Sequence, residues 1–186
     1  MGVRRQWLVI LTITLFATTP AAAVTIHKLE ITRSQDSYLV TFDVLVAADP
    51  AKARELLSDY RQWPRLSKTL KESRLLKTFA DERQRVRLRF RTCVLIFCKT
   101  IHQVKDVENR PNSDIVTVMV PEDSDFASGW ERWQILAEGE KTRVRYHAEI
   151  VPGFGVPPLI GPWILKRKLR RTLIRTAKTL EILAIR

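Results

Sequence analysis

The sequence predicts an α+β fold in which a curved antiparallel sheet of about seven strands wraps around one long C-terminal helix, with two short helices after the first strands. Three observations predict it. The last stretch, residues 151–186, holds one long amphipathic helix that begins near Pro157–Pro162. In the middle of the chain, residues 83–91 alternate basic and mainly apolar side chains at the period of a half-buried strand. Connections between strand-like segments are short throughout, which makes successive strands antiparallel neighbours in one sheet.

Residues 1–23 read as a secretory signal peptide. Arg4 and Arg5 form a basic n-region, Trp7–Phe16 an apolar h-region, and Ala21-Ala22-Ala23 a small-residue cleavage site. Ten residues span only about 15 Å as a helix, half of a bilayer core, which is too short for a transmembrane anchor. The mature chain, 24–186, is then expected in the periplasm as one domain. Its length of about 160 residues is enough to bury a core without metals or several disulfides. The formal charge of +12 falls to +10 when Arg4 and Arg5 leave, because residues 1–23 contain no acid. Such a surplus favours an anionic partner. Export argues against nucleic acid and for anionic lipid head groups or other envelope polyanions.

Val24–Thr32 and Ser37–Ala47 read as strands joined by Arg33-Ser34-Gln35-Asp36, a first hairpin. Asp49-Pro50 then caps and opens a helix, Ala51–Tyr60, with Ala53, Leu56, Leu57 and Tyr60 at helical spacing. Trp63-Pro64 breaks that helix, and a second helical turn is placed at Leu66–Leu70. From there to Leu136 the chain reads mainly as strands with polar turns between them.

In Arg83–Glu108 the arginines at 83, 85, 87, 89 and 91 alternate with Gln84, Val86, Leu88 and Phe90. The run is longer than a usual strand of roughly three to ten residues, so a turn hides inside it. Its midpoint falls between Leu95 and Ile96, also the midpoint of Cys93 and Cys98. The reading is a hairpin with its tip at Val94-Leu95-Ile96-Phe97, clamped by a Cys93–Cys98 disulfide, as expected of two cysteines in an exported chain. Two free buried thiols are the alternative. This register sets Arg85 opposite Asp106 and Arg83 opposite Glu108, favourable cross-strand pairs. It also points Lys105 inward, which argues for a bulge or a slip. An apolar tip is unusual for a turn. Either neighbouring segments cover Leu95, Ile96 and Phe97, or they stay exposed to meet a membrane or guard a pocket mouth.

Ile115–Val120 gives another strand, a further one runs through Leu136, and Gly139 turns the chain into Thr142–Ile150, again of period two. Pro157, Pro158 and Pro162 suit a helix start, from which a helix can run to Ile185. At 100° per residue, Leu165, Leu169, Leu173, Thr176, Ala177, Leu180, Leu183 and Ala184 share one arc, and Arg167, Lys168, Arg171, Arg175 and Lys178 the opposite one. So wide an apolar stripe needs a large apolar surface, which the sheet supplies. The basic face reads either as a site for an anionic membrane or as a solvated surface.

Motifs for catalysis are missing. There is no Gly-x-Ser-x-Gly elbow, His-Glu-x-x-His pair or phosphate-cradling glycine loop, and no metal or cofactor is expected. His27, His102 and His147 read as surface residues of strands. Tyr146, Thr142 and Gln103 are the polar groups that can point inward. Trp130, Trp133, Phe154 and Trp163 read as core aromatics, with Phe154, between Gly153 and Gly155, and Trp163 as lid candidates.

Val46-Ala47-Ala48-Asp49-Pro50, Leu56-Leu57-Ser58-Asp59-Tyr60 with Trp63-Pro64, Asp125-Phe126 with Gly129 and Trp133, Thr142-Arg143-Val144-Arg145-Tyr146, and Val156-Pro157-Pro158 together resemble the START-like helix-grip superfamily, in its coenzyme Q-binding and polyketide cyclase/dehydrase branch. The resemblance spans most of residues 24–186. It implies a sheet gripping the terminal helix around a mainly apolar cavity that holds a lipid, isoprenoid quinone or polyketide. The expected ligand-contacting residues are Tyr60, Trp63, Val86, Leu88, Phe90, Trp133, Tyr146, Phe154, Leu165, Leu169 and Leu173. The expected membrane contacts are Leu95, Ile96, Phe97, Arg167, Lys168, Arg171, Arg175 and Lys178. Three functions fit: a lipid-binding or transfer protein at an anionic membrane, a cyclase or dehydrase with Tyr146 or another cavity hydroxyl as proton donor, and a partner of an envelope assembly.

Overall fold

The computed structural model describes residues 24–94, 97–112, 114–155 and 161–185. The expected signal segment 1–23, the tip residues Leu95 and Ile96, and Val156-Pro157-Pro158 lie outside the described residues, as does the exposure of Phe97.

Eight strands form one antiparallel sheet: β1 (Thr25–Ser34), β2 (Ser37–Val46), β3 (Leu70–Thr78), β4 (Gln84–Val94), β5 (Phe97–Asn109), β6 (Asp114–Met119), β7 (Phe126–Glu138) and β8 (Lys141–Pro152). Their spatial order is β1-β2-β8-β7-β6-β5-β4-β3. Strands β3 to β8 therefore run as a meander, and β2 joins it at β8, with Phe42 opposite Tyr146 and Val44 opposite Val144. The chain must cross from one side of the sheet to the other between β2 and β3. Two short helices, α1 (Pro50–Ser58) and α2 (Trp63–Leu66), make that crossing, and the long α3 (Gly161–Ala184) follows β8. Register shifts in β1, β3 and β7 mark bulges, which bend strands and increase their twist.

Local chemistry sets the element ends. Asp49 caps α1, its carboxylate accepting from the Ala51 and Lys52 amides. The helix stops at Ser58, two residues early, because Asp59 caps a new 3-10 turn, Tyr60–Gln62. Trp63-Pro64 opens α2 where a break was expected, since a proline in a first turn forfeits no helical hydrogen bond. The helical turn expected at Leu66–Leu70 falls a few residues earlier, as α2, which ends at Leu66; a non-helical turn through Ser67–Thr69 follows, and Leu70 begins β3, the strand beyond the expected seven or so. On this edge strand Leu75 and Leu76 are both exposed, so the alternation that would reveal it is blurred.

The β4–β5 hairpin has the expected register. Cys93 stands opposite Cys98 and is joined to it. Arg85 stands opposite Asp106 and donates two hydrogen bonds, 2.7 and 2.9 Å, to its carboxylate. No bulge or slip occurs between the strands: Lys105 does point inward and is 1 % exposed. The expected Arg83–Glu108 pair is not formed, because β4 begins at Gln84; Arg83 turns to Asp81 and Glu108 to Arg110.

Leu173, Ala177, Leu180 and Ala184 of α3 are buried against Val40, Phe42, Val44, Val46 and Leu57. The Asp49 amide closes the far end of the helix by donating to the Ala184 carbonyl, 3.0 Å. Thr142, expected as a possible cavity residue, is fully buried elsewhere and donates to the Ala48 carbonyl, 2.8 Å.

Across the β2–β8 seam Arg143 donates to both oxygens of Asp43, 2.8 and 2.9 Å, and Arg145 lies 3.5 Å away. The Arg143 hydrogen bond holds the Asp43 carboxyl below its usual 3.8, against an opposing effect of burial. A carboxyl with a depressed folded pKa stabilises the fold above its unfolded pKa, and that contribution is lost as pH falls through the folded value. Urea midpoints measured from pH 7 downward are therefore expected to fall below about pH 5, and to fall less steeply in Asp43→Asn, which is weaker at neutral pH.

Candidate functional site: a cavity under the terminal helix

A cavity of about 280 Å³ lies between α3 and the sheet. Its size is near the lower end of the roughly 300–1,000 Å³ of small-molecule sites. From α3, Leu165, Lys168, Leu169, Thr172, Leu173 and Thr176 face it; the opposite walls include Tyr38, Val40, Phe90, Ile101, Trp133, Tyr146 and Ile150. Leu57, Trp63 and Leu66 enter from the short helices, and Phe126, Pro152 and Phe154 from the ends of β7 and β8 and the segment after β8. The walls are overwhelmingly apolar. An aromatic chain runs along one side, with Tyr60 4.9 Å from Trp63, Trp63 6.4 Å from Trp133 and Trp133 4.2 Å from Tyr146.

A buried ion pair interrupts this lining. Lys105 of β5 donates to Glu131 of β7 at 2.7 Å, with side-chain exposures of 2 % and 9 %, and its ammonium lies 4.7 Å from the Trp63 ring centre. Gln103 and Tyr146 share the wall. Burial, and then the charge of Glu131, pushes the Tyr146 hydroxyl well above its ordinary value of 10.0, so the phenol stays protonated. Tyr60 is raised for the same two reasons. Neither charge of the pair faces the cavity uncompensated.

The structure brings Trp63, Phe90, Trp133, Tyr146, Phe154, Leu165, Leu169 and Leu173 to the cavity wall. Three expected contacts are elsewhere. Val86 and Leu88 are fully buried in the core, and Phe90, one inward step nearer the hairpin tip, lines the cavity in their place. Tyr60 is buried behind Trp63 and does not reach the lining. Arg167, Arg171, Arg175 and Lys178 are exposed on the outer face of α3, whereas Lys168 is half-buried. Three residues at 100° each leave it about 60° from Leu165, close enough to bend inward, and its ammonium donates to Thr92 Oγ1 at 2.9 Å and to the Cys93 carbonyl. Trp130 and Trp163 are surface residues, 42 % and 62 % exposed, and neither is a core aromatic. Lys105 was placed inward by its register but not among the site residues, and its partner Glu131 was missed. Parity could have found Glu131, which shares the inward face of β7 with Trp133 and Ile135. Among the described residues no three His, Cys, Asp or Glu side chains are grouped to hold a metal.

A single antiparallel sheet closed over a C-terminal helix, with an apolar cavity between them, defines the helix-grip class. Residues 38–181 match the family model for polyketide cyclase / dehydrase and lipid transport, and the chain belongs to that family. Solved structures agree on the fold. A START superfamily protein from Mycobacterium smegmatis superposes with a TM-score of 0.62 at 22 % identity, covering 78 % of this chain and 96 % of that one. A STAR-related lipid transfer protein from Xanthomonas axonopodis gives 0.59 at 14 % identity, covering 85 % and 99 %. The Zhui aromatase/cyclase from Streptomyces sp. R1128 gives 0.55 at 17 % identity, covering 80 % and 92 %. No curated protein matches the sequence significantly. Family and fold together assign a hydrophobic-ligand-binding or polyketide cyclase/dehydrase role.

Removing one partner of a buried ion pair leaves an unpaired charge and costs about 3–5 kcal/mol, whereas replacing both by apolar residues is neutral or stabilising by about 1–4 kcal/mol. Lys105→Met alone is therefore expected to destabilise by about 3–5 kcal/mol in urea unfolding, and Lys105→Met with Glu131→Leu to recover most of that loss. A double variant as weak as the single would mean that the pair organises the wall in a way its charge balance does not explain.

Proposed function

We propose that the chain is an exported binding or transfer protein for a hydrophobic ligand held between the sheet and α3. The observation that carries this reading is the apolar cavity, whose internal charges cancel each other and so leave its walls suited to apolar groups. A lipid, an isoprenoid quinone or a related molecule fits such a lining. The cavity volume favours one chain or ring system over a diacyl lipid taken in whole. Export rests on the signal-like residues 1–23 and accords with the Cys93–Cys98 bridge. Docking on an anionic membrane is assigned to Arg167, Arg171, Arg175 and Lys178, which extend outward along α3; the Val94–Phe97 tip belongs to the same proposal.

A second reading, a cyclase or dehydrase, has its own support. Gln103, Lys105, Glu131 and Tyr146 converge on the cavity wall, and a phenol that stays protonated can donate to oxygen charge developing on a bound carbonyl. In that case Tyr146→Phe would abolish turnover of a polyketide-like substrate while leaving it bound. A third, an envelope assembly partner, would be seen as a protein seated on the hairpin tip.

Two measurements test the leading reading. Leu169→Trp or Leu173→Trp fills the cavity from α3 and is expected to reduce uptake of a fluorescent apolar probe at least tenfold; probe binding unchanged in both variants would place it outside the cavity. Each cation near an anionic leaflet contributes on the order of 1 kcal/mol. Combined Arg167→Glu, Arg171→Glu and Arg175→Glu should accordingly abolish co-sedimentation with anionic liposomes at low salt. Unchanged co-sedimentation would sink the docking assignment and leave the cavity reading standing.

A further inference from the structure

The cavity has two kinds of cation. Lys105, inside, is matched by Glu131 at 2.7 Å. Lys168, on the α3 side of the cavity, donates only to neutral oxygens, Thr92 Oγ1 and the Cys93 carbonyl. Among the described residues no carboxylate stands within ion-pair distance of it. The chain explains this. Residues 83–105, which form β4 and most of β5, contain no aspartate or glutamate, and neither do residues 151–180, which run from the end of β8 through most of α3. The fold brings these two acid-free segments together where Lys168 meets Thr92 and Cys93.

A second cation stands at the same rim. Lys99 lies directly opposite Thr92 across the β4–β5 ladder, so the two side chains leave the same face of the sheet. Thr92 lines the cavity, and the Lys99 ammonium lies 4.2 Å from the ring centre of Phe154, another lining residue. Thr92, Phe154 and Lys168 are all partly exposed, in contrast to Tyr146 and Glu131 at the buried end. The lining thus changes from apolar and charge-balanced inside to polar and cationic at the rim.

We infer that the ligand is a single-chain amphiphile with an anionic head group, a carboxylate or a phosphate, held at the rim by Lys168 and Lys99 while its apolar chain occupies the cavity. This rests on the carrier reading above and narrows it. An ionised head group is excluded from the interior, where it would meet Glu131 and lose its water without gaining a free cation. At the rim it keeps part of its hydration and accepts charge-assisted hydrogen bonds from two ammonium groups, that of Lys168, otherwise bonded to neutral oxygens, and that of Lys99, otherwise over the Phe154 ring. The volume of about 280 Å³ suits one chain.

The test compares dodecanol, laurate and dodecyl phosphate, which share a chain length and differ in head group, by quenching of the cavity tryptophans Trp63 and Trp133 in the intact protein. A hydrogen bond to a charged group is worth about 1.5–3 kcal/mol, so at least one anion is expected to bind about tenfold or more tightly than the alcohol. The order of laurate and dodecyl phosphate then tells which head group the rim fits. Lys168→Met should weaken the preferred anion at least tenfold more than it weakens dodecanol, and Lys168→Arg should restore most of the difference. Lys99→Met, which removes a side chain that makes no hydrogen bond among the described residues, should lower the same preference by a smaller factor and serves if Lys168→Met fails to fold. Equal binding of alcohol and anions, or equal weakening of both in the variants, overturns the inference and leaves the carrier reading intact. No binding by any of the three overturns both.

Discussion

Burial of one face of α3 against the concave side of the sheet is the contact on which the other features depend, and it is uneven along the helix. Near its C-terminal end Ala177 and Ala184 present little bulk, so the backbone approaches α1 and β2 closely, and Leu180 fills the space between. Toward the N-terminal end Leu165, Leu169 and Leu173 face an open volume. Small residues at one end and long ones at the other let the same helix close the core and roof a cavity. The hydrogen bond from the Asp49 amide to the Ala184 carbonyl fixes the closed end, and the Lys168 contacts with Thr92 and Cys93 tie the open end to the β4–β5 hairpin.

The electrostatics follow the same axis. Charged groups on the outer surface pair across strands, as Arg85 with Asp106 and Arg143 with Asp43. At the buried end of the cavity, Lys105 and Glu131 are matched to each other. At the rim Lys168 and Lys99 have no carboxylate partner among the described residues, and Arg167, Arg171, Arg175 and Lys178 lie exposed on the outer face of α3. An apolar interior with a cationic entrance is a physical preference for ligands that are apolar at one end, whatever their further chemistry.

Much of the fold was legible because it rests on periodicity. The acid–base pairing of Arg85 with Asp106 and the symmetric placing of the two cysteines gave the β4–β5 register, and Asp49-Pro50 gave the start of α1. What was not legible depends on tertiary distance. Val86, Leu88 and Phe90 are equivalent in parity, yet only Phe90 lies where the helix stands off from the sheet. Lys168 sits at the border of two helical faces, so its direction is decided by Thr92 and the Cys93 carbonyl, which are some 75 residues away in sequence. Lys105 seemed to contradict its own register because its partner, Glu131, lies two strands further along the sheet. Such a pair becomes visible only when inward parity is followed on β5 and β7 together.

The most direct test of the central claim, that the space under α3 exists to hold a hydrophobic ligand, is native mass spectrometry of the protein purified under mild conditions from its own source, with extraction and identification of whatever is bound. One apolar or amphiphilic molecule per chain, lost in the Leu169→Trp variant, is the predicted result. A protein that arrives empty and takes up none of the lipids, quinones or single-chain amphiphiles added to it would contradict the account.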